Sequence, residues 1–195
     1  MKVALGFKAH SGWAALVVLG KSDGEFVIVD RCRVELVEEE WARQPYHAAE
    51  ELEAPAARKL VKRGIDSAHR IATREMRSVL SRERSRKNDV AGCAVLIGNP
   101  MPDWSVEQIL AVHFRMHQAE GVLFRDALIN AAQKCSLNVV ELPEKTILNH
   151  AEETLRTSVA NVPKKISDLG KLAGPPWGKD QKDAALAAMV ALVSL

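Results

Sequence analysis

Three groups of residues have types and spacings that can do chemistry. Asp180 and Asp183 lie three apart at the start of the last helix-forming stretch and so share a helical face. Paired carboxylates there suit Mg²⁺, a hard cation that takes oxygen ligands. The same spacing also serves the helix itself, with Asp180 as N-cap and Asp183 as a favourable charge in the first turn. His113 and His117 are four apart and share a face that can hold a metal ion. A zinc hydrolase would need a third ligand and a glutamate between the two, and Phe114-Arg115-Met116 supply none, so a solvent-facing or packed pair is expected. The third group is basic. Arg70, Arg74 and Arg77 share one helical face, and Arg82, Arg84, Arg86 and Lys87 crowd its end. Cations in register neutralise phosphates and give salt-dependent, sequence-independent binding. Such a helix can equally be a solvated face, or one paired with acids of the same chain or a partner. Nine aromatic residues in the whole chain, none in this helix, argue against a dedicated single-strand binder. No phosphate loop, dinucleotide fingerprint or nucleophile elbow occurs, and Ser11 beside His10 is not a triad signal.

The elements that must position these groups are readable in outline. Val3 to Phe7 is an apolar run, Lys8-Ala9-His10-Ser11-Gly12 breaks it as a tight hairpin, and Trp13 to Leu19 resumes it. Asp23-Gly24 is a hairpin signal before Glu25 to Val37, so the chain opens as a three-stranded antiparallel meander. Val37 to Asn88 is rich in Ala, Leu, Glu, Lys and Arg and reads as helical, with Pro45, Pro55 and Gly64 as breaks. Its charge is segregated, about −6 from Glu35 to Glu53 and about +8 from Arg58 to Lys87. Val90 to Ile97 is a buried strand closed by Gly98-Asn99-Pro100. Ser105 and Gln108 form a capping box for a helix running to about Lys134. Leu137 to Leu142 is a short strand, Asn149 with Glu152 caps a further helix, Ser167 to Gly178 is a loop, and Asp180 to Val193 is the final helix.

With 195 residues, 47% of them apolar, the chain is long enough for one core. A net charge of +2 excludes a globally basic nucleic-acid binder. Three widely spaced cysteines, Cys32, Cys93 and Cys135, in apolar contexts suggest buried thiols in a reducing cytoplasm. The start lacks a signal-peptide pattern, and the longest apolar run, Ala184 to Leu195, is too short to span a bilayer. The expectation is a cytoplasmic protein without a membrane role.

Three antiparallel strands followed by alternating helices and parallel strands is a layout that resembles the ribonuclease-H-like superfamily. Gln118-Ala119-Glu120-Gly121-Val122-Leu123, leading through Ala131-Ala132 to Leu137-Asn138-Val139-Val140-Glu141, resembles the central helix and following strand of RuvC-type Holliday-junction resolvases. Lys179 to Ala187 resembles their closing helix, and Leu5-Gly6-Phe7 their first strand. The resemblance implies a two-metal carboxylate site, with acids converging from the first strand, the fourth strand and the last helix. Here the first-strand position is Lys8, the fourth strand ends in Gly98 and Asn99, and Asp180 and Asp183 alone remain. A lysine in place of a ligand inverts the local charge and repels a metal ion.

The expected fold is therefore α/β: a ribonuclease-H-like mixed sheet flanked by helices, in a single domain 1–195, with 38–88 a charged helical insertion after the third strand. Three functional classes follow. One is a non-catalytic nuclease-like protein with a nucleic-acid-binding or scaffolding role, using Arg70, Arg74, Arg77, Arg82 and Arg84. The second is a metal-dependent nuclease in which Glu35, Glu38 or Glu141 replaces the missing acids, with Mg²⁺ at Asp180 and Asp183 as the sole cofactor. The third is an assembly protein whose acidic and basic halves pair between subunits of a homo-oligomer, most simply a two-fold dimer. The resemblance also requires Lys8, Asn99 and Asp183 to meet at one end of a sheet.

Overall fold

The computed structural model describes residues 1–156 and 161–195. Five strands form one mixed sheet: β1 (Lys2–His10), β2 (Trp13–Ser22), β3 (Glu25–Glu35), β4 (Asp89–Ile97) and β5 (Asn138–Pro143). Their order is β3-β2-β1-β4-β5. β1, β2 and β3 are antiparallel, while β4 runs parallel to β1 and β5 parallel to β4. The helices are α1 (Ala54–Ser85), α2 (Val106–Leu110), α3 (His113–Lys134), α4 (Ile147–Leu155), α5 (Asn161–Ala173) and α6 (Lys179–Ser194). Short 3₁₀ turns occupy Glu40–Arg43, His47–Ala49 and Glu144–Thr146. This is the expected α/β arrangement, with the helical insertion after β3. No helix among the described residues is long and apolar enough to cross a membrane.

The two faces of the sheet carry separate cores. Val3, Leu5 and Phe7 of β1, with Leu16 and Val95, pack against Ala68 and Met76 of α1 and Phe124 and Leu128 of α3. Ala4, Val17 and Leu96 pack against α6 on the opposite face. Strand periodicity puts Ala4, Gly6 and Lys8 on this second face together. Gly6 is the contact that lets α6 lie close: a Cβ built there would meet the Ala184 carbonyl oxygen at 1.9 Å and the Ala188 nitrogen at 2.6 Å. The small side chains of α6, Ala184, Ala187, Ala188 and Ala191, complete that approach and are fully buried.

The structure departs from the sequence expectations at six places. Lys8, Ala9 and His10 continue β1 rather than breaking it, and Ser11-Gly12 alone makes the turn, with Gly12 at φ 83°. The segment 38–53 holds two 3₁₀ turns instead of helix, because Pro45 withdraws a donor in its middle. Helix α1 carries Pro55 in its first turn and passes unbroken through Gly64, whose missing Cβ admits the Pro45 ring. The helix expected from Ser105 to Lys134 is two helices, α2 with the capping box and α3 starting anew at His113. The loop expected over Ser167 to Gly178 is helical as far as Ala173, since Ile166 and Leu169 are buried and Gly170 receives the Trp177 ring. The helix expected from Asn149 begins at Ile147 without a side-chain cap, and residues 157–160 of that expectation lie outside the described residues.

Gly6→Ala should therefore lower stability by about 1–3 kcal/mol or more, because the atoms met are backbone and cannot turn aside. Urea denaturation midpoints of the two proteins measure this; an unchanged midpoint would show that α6 is not seated on Gly6.

Candidate functional site

The period of β1 that buries Ala4 and Gly6 carries Lys8 under the first turn of α6, where only 5% of it is exposed. Its Nζ donates to Asp183 Oδ2 at 2.6 Å and lies 2.9 Å from Glu144 Oε1 and 3.6 Å from Asp180 Oδ1. Lys179 reaches the same carboxylates from outside, 2.9 Å from Asp183 and 3.6 Å from Glu144. His10 Nε2 stands 3.1 Å from Asp180 Oδ1, its ring stacked on Trp13. Burial alone would push the Lys8 ammonium down, but hydrogen bonds to Asp183 and Glu144 hold it above the usual lysine range. Burial pushes the Asp183 and Glu144 carboxyls up, and the Lys8 ammonium overrides it, holding both below their ordinary values.

This cluster forms one wall of a cleft of about 770 Å³ that also includes Gly98, Asn99, Arg125 and Lys145. The cleft sits beyond the carboxyl ends of the parallel strands, the usual ligand crevice of an α/β sheet. Asn99 and Asp183 line it together, and Lys8 touches Asp183, so the three positions do meet at one end of the sheet. The fourth-strand position is also cationic in its surroundings: a Cβ on Gly98 would meet the Arg125 guanidinium at 2.4 Å. Asp180 does not cap α6, since Gly178 holds the N-cap position and Asp180 lies within the first turn.

The acid that joins Asp180 and Asp183 is Glu144, and none of the three glutamates expected as replacements. Glu35 pairs with Arg33 on the exposed end of β3. Glu38 pairs with Arg70 and Arg74. Glu141 lies on β5, short of the strand end that delivers Glu144. The legible signal for Glu144 was its place immediately after the Leu142-Pro143 end of a parallel strand.

The basic face of α1 is largely neutralised within the chain. Glu38 accepts from Arg70 at 3.1 Å and from Arg74 at 2.6 Å, Glu39 accepts from Arg63 at 2.8 Å, and Asp30 faces Arg82 and Arg86 at 2.9 Å each. Arg77 and Arg84 are exposed and have no ion pair among the described residues. Cys32, expected buried, is exposed on β3 with Arg82 Nη2 3.7 Å from its sulfur; Cys93 is buried. His113 and His117 are exposed on the first turns of α3, and a third imidazole, His47, joins them from 66 residues upstream in sequence.

No protein-family model matches the chain, and no curated protein matches it. Two solved structures of Thermus thermophilus RuvC are similar to it. One is RuvC in complex with Holliday junction substrate, at 14% identity and TM-score 0.54, covering 100% of this chain and 95% of that one. The other is RuvC alone, at 14% identity and TM-score 0.53, covering 98% and 95%. At that identity the likeness is one of fold: the chain has the RuvC-type ribonuclease-H-like architecture.

Replacing Lys8 by Met leaves three carboxylates around an apolar stem. Breaking a buried pair costs about 3–5 kcal/mol, and the part-exposed acids here put the expected loss near or below the lower figure. The pH dependence separates this from lost packing. In the wild type, the lowered Asp183 and Glu144 stabilise the fold above their unfolded values of 3.8 and 4.5, and that contribution is lost as pH falls through the folded values. The raised Lys8 contributes fully below 10.5 and its share is lost only in strong alkali. Lys8→Met reverses the acid limb, so its deficit should shrink on going from neutral pH to about pH 4. Chemical denaturation at both pH values checks this; a deficit that does not change with pH would indicate packing alone.

Proposed function

We propose that this chain is a nuclease-fold protein that does not cleave by a divalent metal and instead binds nucleic acid through its cleft, in a binding or scaffolding role. The observation that carries the reading is the Lys8 ammonium held among Glu144, Asp180 and Asp183. The residues present do not fit the magnesium pair that the fold implies. Mg²⁺ wants near-octahedral oxygen ligands at about 2.0–2.1 Å. The same oxygens already face a buried ammonium, and Arg125 covers the fourth-strand position. A divalent ion about 4 Å from that ammonium would meet roughly 8 kcal/mol of repulsion even at an effective dielectric of ~20. Neutralising Lys8 to admit the ion would itself be costly, because its partners favour the charged form.

The cleft has the features of a phosphate-backbone site. Arg125, Lys145 and Lys179 line it, and Phe114, 67% exposed, stands at its wall as a surface on which a base can stack. The arginines of α1 form a second surface. Exposed ion pairs are worth about 0–1 kcal/mol, so phosphates can compete for Arg70, Arg74 and Arg82, and Arg77 and Arg84 are open to them. The two surfaces are apart. The Met1 amino group donates to the Lys87 carbonyl, which places the end of α1 at the start of β1, whereas the cleft lies beyond its end. Nine strand residues separate them, about 30 Å at ~3.3 Å each. The reading places the protein in the cytoplasm, as its unpaired cysteines suggest, and as a homodimer. Since the acidic segment pairs with α1 within one chain, a dimer would use another surface.

Fluorescence anisotropy with labelled duplex, branched and single-stranded DNA at about 50 and 200 mM salt tests the binding half, and incubation of the same DNAs with Mg²⁺ or Mn²⁺ tests the other. The expected result is affinity that falls steeply with salt, and intact DNA. Lys145→Glu should weaken binding to every DNA, and Phe114→Ala should cost about 1–3 kcal/mol where a base is free to stack. Arg77→Glu with Arg84→Glu separates the α1 surface from the cleft. Cleavage that Asp183→Asn abolishes would overturn the non-catalytic reading, and no binding at the lower salt would remove the nucleic-acid role. Lys8→Asp should bind Mn²⁺ more tightly than the wild type, since it removes the repelling charge and adds a ligand.

A further inference from the structure

We propose that His47, His113 and His117 form a binding site for a divalent transition metal, Zn²⁺, with a fourth coordination position open to water. The site is separate from the Lys8 cluster and shares no residue with it.

The three rings come from two elements. His113 and His117 lie one turn apart on α3, and His47 opens the 3₁₀ turn His47–Ala49. One nitrogen from each ring lies within 4.8 Å of the others. His113 Nε2 and His117 Nε2 are 3.1 Å apart. Tetrahedral zinc with nitrogens at 2.0–2.1 Å spaces its ligands about 3.3 Å apart, so this pair already has the edge length of the site. The ring centroids stand 4.6–5.0 Å from one another, and no two rings stack face to face.

Glu120 settles the tautomer of the third ring. It is buried, and its carboxylate receives the backbone N–H groups of Tyr46 and His47 at 3.2 Å each. His47 Nδ1 lies 2.8 Å from Oε2 and 2.9 Å from Oε1 of the same carboxylate. A carboxylate so placed accepts, so Nδ1 carries the proton, and in the neutral ring Nε2 keeps its lone pair. That Nε2 is buried and has no hydrogen-bond partner in the structure. A buried acceptor without a partner costs about 1–3 kcal/mol. An oriented histidine whose outer nitrogen is fixed by a carboxylate is also how metal-ligating histidines are held.

Proton sharing among the rings does not satisfy all three. One N–H joining His113 to His117 leaves His47 Nε2 orphaned, and protonating all three sets positive charges side by side. A cation at the centre of the nitrogens satisfies them together. Imidazole suits Zn²⁺, Cu²⁺, Fe²⁺ and Ni²⁺, and three histidines with no thiolate or carboxylate in the first shell match a zinc site with an open position. His113 and His117 are exposed, so that position faces solvent. His117 also lines the cleft, so the ion would stand at its rim and tie the His47 turn to α3.

The test uses the full chain without a histidine tag, freed of metal with EDTA and dialysed. Calorimetric titration with ZnCl₂ should give one equivalent bound, with the thermal midpoint rising on zinc addition. Co²⁺ should give visible absorption of four-coordinate rather than six-coordinate intensity. His113→Ala with His117→Ala changes two exposed side chains, so circular dichroism should be unaltered while stoichiometric binding is lost. Glu120→Gln should weaken binding about 10–100-fold with all three histidines present. No stoichiometric zinc binding by the wild type, or binding that survives in the folded double variant, overturns the proposal.

Discussion

A lysine side chain buried under a helix must have anions around it, because an isolated ammonium in such a place would lose its proton or unfold its surroundings. Lys8 meets that demand with carboxylates drawn from two directions, Glu144 beyond β5 and the Asp180–Asp183 pair on α6. Three separate pieces of chain are thereby fixed at one end of the sheet. The arrangement is self-consistent in sign. Glu144 and Asp183 are kept ionised by the lysine, and the lysine is kept charged by its carboxylate partners. Losing the lysine would leave the acids without their buried counter-charge, whereas losing one acid would still leave the ammonium with partners.

That interaction depends on distance, and the distance is set by packing. Lys8 reaches Asp183 because α6 lies almost on the backbone of β1, and it lies there because Gly6 and the alanines of α6 have nothing to keep them apart. The opposite face is built differently, with Phe7, Phe124 and Met76 filling a wider gap between the sheet and α1 and α3. The helical insertion then adds an electrostatic layer. Its acids fold back on its own arginines, so the segregated charge of the sequence becomes short-range pairing on the surface of one chain. The excess left over is small, which agrees with a net charge of only +2.

The succession of strands along the chain and the final helix were legible because they rest on local signals: apolar runs of strand length and turn residues such as Asp23-Gly24. The substitution of a cation at the first-strand position was legible for the same reason, since it needs only the residue after Gly6-Phe7. What failed is non-local. Glu144 is one glutamate among many until the parallel register of β4 and β5 brings the end of β5 beside Lys8. His47 lies 73 residues from Glu120 and in a segment that read as charged helix, so nothing in its own neighbourhood linked it to His113 and His117. Gly64 misled for the opposite reason: as a helix breaker it is a local signal, but here its missing side chain makes room for Pro45 and the helix continues. Compact packing overrides intrinsic propensity when a close approach is at stake.

The two constellations are joined by α3. Its first turns carry His113, His117 and Phe114, its next turn carries Glu120 and Gly121, and Arg125 follows over Gly98. One helix therefore presents the histidine nitrogens, the exposed aromatic ring and the guanidinium to the same side, and most of these line the cleft. Neutral imidazoles leave the charge of a bound divalent ion largely uncompensated among its ligands, with the Glu120 carboxylate standing behind His47. Such an ion would add positive potential to a rim already lined by Arg125 and Lys145. With the carboxylates at the strand ends held by Lys8, that added charge would make the rim of the cleft more attractive to anions.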